Sequence, residues 1–93
     1  MLPQVTSIEL QENLAQFLKK QRKTQNISRR ELALTSHVPE STIKRFENTG
    51  NISLRQFLML WNSLDKLDRI DLLCINQVFE PLSAQDVLRG NFQ

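Results

Sequence analysis

The 93-residue sequence is poor in the residues that mark specialised protein classes: it has one cysteine, two glycines, three prolines and no tyrosine. Cys74 cannot close an intrachain disulfide, and no second cysteine or neighbouring histidine is present to bind zinc with it. We therefore expect Cys74 to be a small buried hydrophobic residue. The low content of glycine and proline excludes collagen-like and disordered chains and predicts one folded domain.

Long hydrophobic runs and catalytic motifs are also missing. No segment approaches the roughly 20 apolar residues that cross a bilayer, and the start Met-Leu-Pro-Gln-Val lacks the basic and apolar regions of a secretory signal. There is no glycine-rich phosphate loop or nucleophile elbow, and the single His37 cannot complete a catalytic set. We expect a cytoplasmic protein that is not an enzyme. It should bind no metal, cofactor or small-molecule substrate and should not associate with a membrane.

Charge is segregated along the chain although the net charge is only +2. Nine of the twelve basic residues lie between Lys19 and Arg55, where three glutamates leave an excess of +6, and both flanks are acidic. A local basic excess in a small domain is typical of a nucleic-acid partner, and it is also compatible with a solvated basic face. The residues from Lys19 to Lys23 can likewise contact phosphate or merely complement the end of a helix.

Helical periodicity predicts an all-α domain of five to six helices. The first is expected over residues 7–23, because Thr6 and Glu9 form a possible capping box and apolar residues recur from Leu10 at i+4, i+7 and i+8. Arg22 is expected among the polar positions of this helix. Ser28 and Glu31 repeat the capping pattern for a short second helix that ends near residue 36.

The third helix is expected over residues 40–48, with Ile43 and Phe46 turned inward. A fourth helix follows the cap at Ser53 and is nearly apolar all round, which predicts burial on more than one face, in the core and at a subunit interface. A fifth continues around residues 67–73. We place the domain at residues 1–72 and a C-terminal extension at residues 73–93. Within the extension, residues 73–79 suit either a strand or a helix, and residues 83–90 are expected to form a last short helix.

Two short helices joined by a tight turn form the layout that presents a helix to the DNA major groove. The segments Ser-Arg-Arg-Glu-Leu-Ala from residue 28 and Val-Pro-Glu-Ser-Thr-Ile-Lys-Arg-Phe-Glu-Asn from residue 38 resemble the Cro/cI-type, or XRE, helix-turn-helix family. The resemblance covers roughly residues 10–65. It implies a lambda-repressor-like fold that binds double-stranded operator DNA as a homodimer.

Within this resemblance, the base-reading positions of the family match Glu40, Ser41, Thr42 and Arg45. Arg45 can bind guanine O6 and N7 in a bidentate contact, and Thr42 can touch a thymine methyl group. Glu40 can accept a hydrogen bond from cytosine N4 or simply favour the helix N-terminus. Backbone contacts that position the domain without reading sequence are expected from Ser28, Arg29, Lys44, Asn51 and Arg55.

The sequence departs from the common family pattern at two positions. His37 stands where glycine is frequent in the turn, so a standard turn requires it to adopt a left-handed conformation at some cost. Arg29 stands where glutamine is frequent at the start of the second helix, which keeps a phosphate donor and adds charge.

The longer stretch from Ser41 to Leu58, together with the acidic Leu-Asp repeats and the Phe-Glu-Pro-Leu-Ser tail, resembles the HipB-type antitoxins. That resemblance implies autoregulation of an operon and a complex with a HipA-type serine/threonine kinase toxin, with the segment after Leu73 reserved for toxin or dimer contacts. Two alternatives stay open. One is a stand-alone or phage-type repressor without a toxin; the other is a helical protein-interaction module in which the helix-turn-helix is only a scaffold.

Overall fold

The computed structural model describes residues 4–75, and this part of the chain is all-helical, with five helices and no strand. The helices are α1 (Ser7–Thr24), α2 (Arg29–Ser36), α3 (Glu40–Thr49), α4 (Leu54–Leu64) and α5 (Leu67–Asp71). The all-α helix-turn-helix prediction is confirmed. The last short helix and most of the 73–79 run lie outside the described residues.

Side-chain caps explain where the helices begin. The hydroxyl of Thr6 accepts a hydrogen bond from the Glu9 N–H at 3.1 Å, and the Glu9 carboxylate accepts one from the Thr6 N–H at 2.9 Å. Ser28 and Glu31 form the same reciprocal pair at the start of α2. Each capping box satisfies N–H groups that have no partner inside the helix. The structure has both capping boxes, and it confirms both predicted helix starts.

The core lies between α1, α2, α3 and α4. Its buried apolar side chains are Ala15, Leu18, Leu32, Val38, Ile43, Phe46, Phe57, Leu60, Trp61 and Leu64. The inward placement of Ile43 and Phe46 is therefore confirmed. Helix α4 supplies four of the buried side chains, and Leu58 and Met59 pack against them, but its first residue, Leu54, remains 72% exposed. Most apolar side chains of α4 are therefore buried or half-buried, as predicted, except at its N-terminus.

Three placements differ from expectation. Arg22 is buried within α1, where the sequence interpretation put it among the polar positions. Leu10 is 51% exposed, so the apolar stripe of α1 reaches the core only from Leu14 onward. Cys74 is exposed, and its expected burial is wrong. It lies in a turn after α5, a helix that itself has no buried residue.

The turn between α2 and α3 contains His37, which was expected to adopt a left-handed conformation because it stands where the helix-turn-helix family often has glycine. His37 has φ 63° and ψ 22°, and its N–H donates to the Ala33 carbonyl, which ends α2. The buried Ser36 hydroxyl then accepts from the Val38 N–H at 3.2 Å. A non-glycine residue in this conformation carries a steric cost of about 1–2 kcal/mol.

We expect His37→Gly to raise the free energy of unfolding by about 0.5–1 kcal/mol. Glycine removes the steric cost at φ 63°, and this gain exceeds the added entropy of the unfolded chain, about 0.4–1 kcal/mol. Thermal unfolding followed by circular dichroism measures the change as a rise of a few degrees in Tm. His37→Ala is the matched control, because alanine keeps the steric cost. A lower Tm for His37→Gly than for the parent protein would contradict the strain argument.

None of the helices within residues 4–75 combines the length and apolar character needed to cross a membrane.

Candidate nucleic-acid interface

Helix α3 buries one face and exposes the opposite one. Ile43, Phe46 and Glu47 point into the protein, whereas Ser41 and Arg45, four residues apart, lie on the exposed face. Residues three or four apart share a helix face, so Lys44 and Asn48 flank these two. All four of these outward residues are exposed. Polar and basic groups are thus displayed together on a rigid helix, as a helix that reads DNA requires.

The start of α3 carries two of the predicted base-reading residues. Glu40 and Ser41 are its first residues and are exposed, and Pro39 precedes them without any side-chain cap. Thr42 is half-buried, and its N–H bonds to the Pro39 carbonyl at 3.0 Å. The free N–H groups at this end favour an acidic side chain such as Glu40, which supports the structural interpretation of that residue as much as a base contact.

A polar concavity of about 300 Å³ connects α3 to the start of α4. Thr42 and Arg45 line it from α3, Asn51 lies in the intervening loop, and Gln56 lines it from α4. Two predicted base-reading residues and one predicted backbone contact are therefore neighbours in space. The remaining predicted backbone contacts lie elsewhere: Ser28 and Arg29 on the α2 side, Lys44 on the α3 surface and Arg55 exposed on α4.

The hydroxyl of Thr49 fixes the loop that presents Asn51. It donates to the Arg45 carbonyl oxygen at 2.7 Å and accepts from the Asn51 N–H at 3.1 Å. The following Gly50 has φ 82°, and a Cβ there would lie 3.2 Å from the backbone carbon of Gln11. The positive φ and the close approach to α1 both disfavour any residue other than glycine, so the path from Arg45 to Asn51 is closely constrained.

Ser28 has a clear structural role at the start of α2. Its hydroxyl oxygen accepts from the Glu31 N–H at 3.0 Å. The hydrogen bonds from the Ser28 backbone and side chain lower the pKa of Glu31. The Ser28 side chain is thus engaged at the start of α2, and a contact with the DNA backbone would compete with its capping role.

Three charged side chains, hereafter the ion triad, join α1, α2 and α3: Arg22, Arg29 and Glu47. Arg22 directs Nε and Nη2 to the two carboxylate oxygens of Glu47 at 2.8 and 3.0 Å. Arg29 directs Nε to Glu47 Oε1 at 2.9 Å. Among the described residues, no buried side-chain nitrogen or oxygen lacks a hydrogen-bond partner. The buried groups of the triad are thus fully paired inside a largely apolar domain.

Two opposing effects set the ionisation of Glu47. Burial raises the pKa of its carboxyl group, but the hydrogen bonds and positive charges of Arg22 and Arg29 outweigh burial and hold the pKa below its usual value. Glu47 is therefore ionised at neutral pH. Its charge is matched by Arg22, which leaves the triad with one positive charge in excess.

Sequence reasoning missed three polar residues of this surface and the burial of Arg22. Asn48 follows Arg45 by three residues on the same exposed face, a spacing that could have identified it. Thr49 and Gln56 gave no such signal, because their roles depend on how the loop folds.

Three further basic residues are exposed where the end of α1 meets the start of α2 across the loop between them: Lys20, Lys23 and Arg30.

No cluster of three or more potential metal-binding side chains occurs within residues 4–75. Comparison of the chain with protein-family models, with characterised proteins and with solved structures finds no match.

Proposed function

We propose that this chain is a sequence-specific transcriptional repressor that binds double-stranded operator DNA as a homodimer. The observation that carries the proposal is the outward face of α3, where Ser41 and Arg45 stand opposite the buried Ile43 and Phe46. A helix held rigidly by its apolar side and polar on its outer side is the element by which helix-turn-helix proteins read the major groove.

In the proposed complex, Arg45 donates two hydrogen bonds to guanine O6 and N7. Ser41 and Thr42 bond to bases or phosphates, and Thr42 also offers a methyl group to thymine. Lys44, Asn51 and Arg55 contact the phosphate backbone on the flanks of α3 and set the orientation of the domain. The excess of basic residues between positions 19 and 55 supports this arrangement, because it supplies the counter-charge that the phosphates need.

A homodimer supplies the second recognition helix. One module of this size buries only about 600–1,000 Å² on DNA, so two helices about 34 Å apart on a near-palindromic site give the usual specificity. Helices α4 and α5 are the proposed interface. The exposed apolar side chains that directly follow α5, Leu72 at 62% and Leu73 at 84%, support that assignment, since exposed apolar clusters mark interaction surfaces.

The double substitution Leu72→Glu and Leu73→Glu is expected to yield a monomer at concentrations where the parent protein is a dimer. Both side chains are exposed, so the fold is retained while two like charges per chain oppose the apolar contact. Light scattering measures the mass. Leu34→Glu, a change at another exposed leucine, on α2, is the control and keeps the parent mass. A dimeric double variant would move the interface away from α5.

We further propose that the protein is the antitoxin of a HipA-type kinase and represses the operon that encodes both. This finer assignment rests on the resemblance of residues 41–58 and of the tail to the HipB-type antitoxins. The toxin or dimer contacts assigned to residues 73–93 lie, beyond residue 75, outside the described part of the chain. Co-purification with the product of the neighbouring kinase gene tests it; without such a gene, the stand-alone repressor replaces it.

A salt titration tests the central proposal. Binding is measured for a duplex from upstream of the protein's own gene and for a scrambled duplex of equal composition, with the dimer state followed in parallel. We expect tighter binding to the first duplex and a linear fall of log K with log salt concentration. Equal, weak binding to both duplexes would instead favour the protein-interaction module.

A further inference from the structure

The two arginines of the ion triad differ in how many of their donors are engaged. Buried Arg22 uses Nε and Nη2 for Glu47 and Nη1 for the Ile27 carbonyl oxygen. Arg29 uses only Nε, and its side chain is 31% exposed. A guanidinium has five N–H donors. Within the described residues, the Nη1 and Nη2 groups of Arg29 have no hydrogen-bond acceptor, so this arginine can bind a second group.

The charge of the triad favours an anion as that group. Arg22 neutralises Glu47 in the interior, and the excess positive charge therefore resides on Arg29, at the surface. Arg29 is also the first residue of α2. The positive end of the helix dipole lies at the same place, and it adds to the attraction for a negatively charged ligand.

We propose that Glu47 is a positioning residue for DNA binding: by holding Arg29 at Nε, it aims Nη1 and Nη2 as a fork at one phosphate group of the DNA backbone. The inference rests on the proposed function and adds a role for a residue that does not itself touch DNA. A guanidinium fork fixed in this way matches two oxygens of one phosphate. The Arg29 side chain is held in one conformation before the DNA binds, which reduces the conformational entropy lost on binding.

The direction in which one substitution changes the affinity for DNA distinguishes a positioning role of Glu47 from a simple effect of its charge. Glu47→Gln removes a negative charge and raises the net charge of the protein by one. If Glu47 acted only through its charge, the variant would bind DNA more tightly. If Glu47 positions Arg29, the variant binds more weakly, because the released guanidinium must be ordered at the phosphate on binding.

The experiment measures operator affinity over a salt series for the full chain and for Arg29→Ala, Arg29→Lys, Glu47→Gln and the double variant Arg29→Ala/Glu47→Gln. We expect Arg29→Ala to weaken binding about tenfold for each protomer and to reduce the salt slope of the dimer by about 1.8, the loss of one phosphate contact from each protomer. Glu47→Gln is expected to weaken binding in the parent background and to cause no further loss of affinity in the Arg29→Ala background. Circular dichroism at low temperature verifies the folded fraction of each variant.

Arg29→Lys keeps the inference testable should Glu47→Gln fail to fold. Lysine retains the charge, but its single ammonium group pairs with Glu47 and offers no fork. We expect it to bind as weakly as Arg29→Ala. Parent affinity for Arg29→Lys, tighter binding by Glu47→Gln, or an unchanged salt slope for Arg29→Ala would each overturn the positioning role. Absence of salt-sensitive operator binding in the parent protein would instead overturn the proposed function.

Discussion

Replacing Glu47 with glutamine is expected to lower the free energy of unfolding by about 3–5 kcal/mol at neutral pH, the usual effect of removing one partner from a buried ion pair. The glutamine amide has nearly the same shape as the carboxylate, so packing changes little. What changes is the charge: Arg22, whose side chain is 8% exposed, loses the anion that faces both Nε and Nη2. An uncompensated buried guanidinium is the physical cause of the loss.

Chemical denaturation of the two proteins measures this difference directly. Glu40→Gln is the matched control: it makes the same chemical change on the same helix at an exposed position, and it should cost less than about 1 kcal/mol. A comparable loss for both variants would show that the triad contributes no more than a surface charge.

The pH dependence follows from the direction of the pKa shift. Since the pKa of Glu47 is lowered in the folded protein, its contribution to stability is fully present above the unfolded value of 4.5 and is lost as the pH falls through the lower folded value. The parent protein should therefore lose its advantage over Glu47→Gln in that acidic window. A difference that is constant from neutral to acidic pH would contradict ionisation of Glu47 as the source.

The ion triad also shows where sequence reasoning was incomplete. Arg22 follows Ala15 and Leu18 at i+7 and i+4, and Glu47 follows Ile43 at i+4. Each charge therefore occupies the buried stripe of its own helix. Two opposite charges at core positions predict one another, because neither is stable there alone. The sequence contained this signal, but it becomes visible only when α1 and α3 are known to face each other.

Local features were predictable for a different reason. The capping boxes at Thr6 and Ser28 depend on residues within a few positions, so the sequence alone identifies them, whereas the left-handed His37 was expected from the resemblance of the turn to the helix-turn-helix family. Cys74 was misplaced because hydrophobic character predicts burial only when a neighbouring element covers the residue. Its exposure in the turn after α5 depends on tertiary structure, which no local pattern encodes.

The candidate DNA surface was predictable in part. Arg45 and Thr42 were identified from the helix-turn-helix pattern, and the structure places them beside Asn51 in one concavity. Gln56 belongs to the same concavity and was missed, because it lies on the next helix and reaches the site only through the Thr49-supported loop. Pattern reasoning thus identifies residues within one motif, whereas neighbours from other helices require the fold.

Arg45→Ala is expected to reduce discrimination between operator and scrambled DNA by about 5- to 150-fold for each half-site that the dimer contacts, equivalent to about 1–3 kcal/mol for one bidentate arginine–guanine contact. The fold should be unaffected, because the side chain is exposed and the Thr49 hydroxyl bonds to the backbone carbonyl of residue 45. The measurement is the ratio of the two dissociation constants at one salt concentration, so a general loss of affinity cancels.

The neighbouring residue provides the control for this prediction. Lys44→Ala removes the same charge from the same turn of α3 and is likewise exposed, but a phosphate contact carries no sequence information. It should weaken binding to both duplexes equally and reduce the salt slope by about 1.8, because the dimer loses one phosphate contact from each protomer. If Arg45→Ala instead lowers both affinities in parallel, as expected of Lys44→Ala, then Arg45 binds phosphate and the reading of bases must be assigned to Ser41, Thr42 or Asn48.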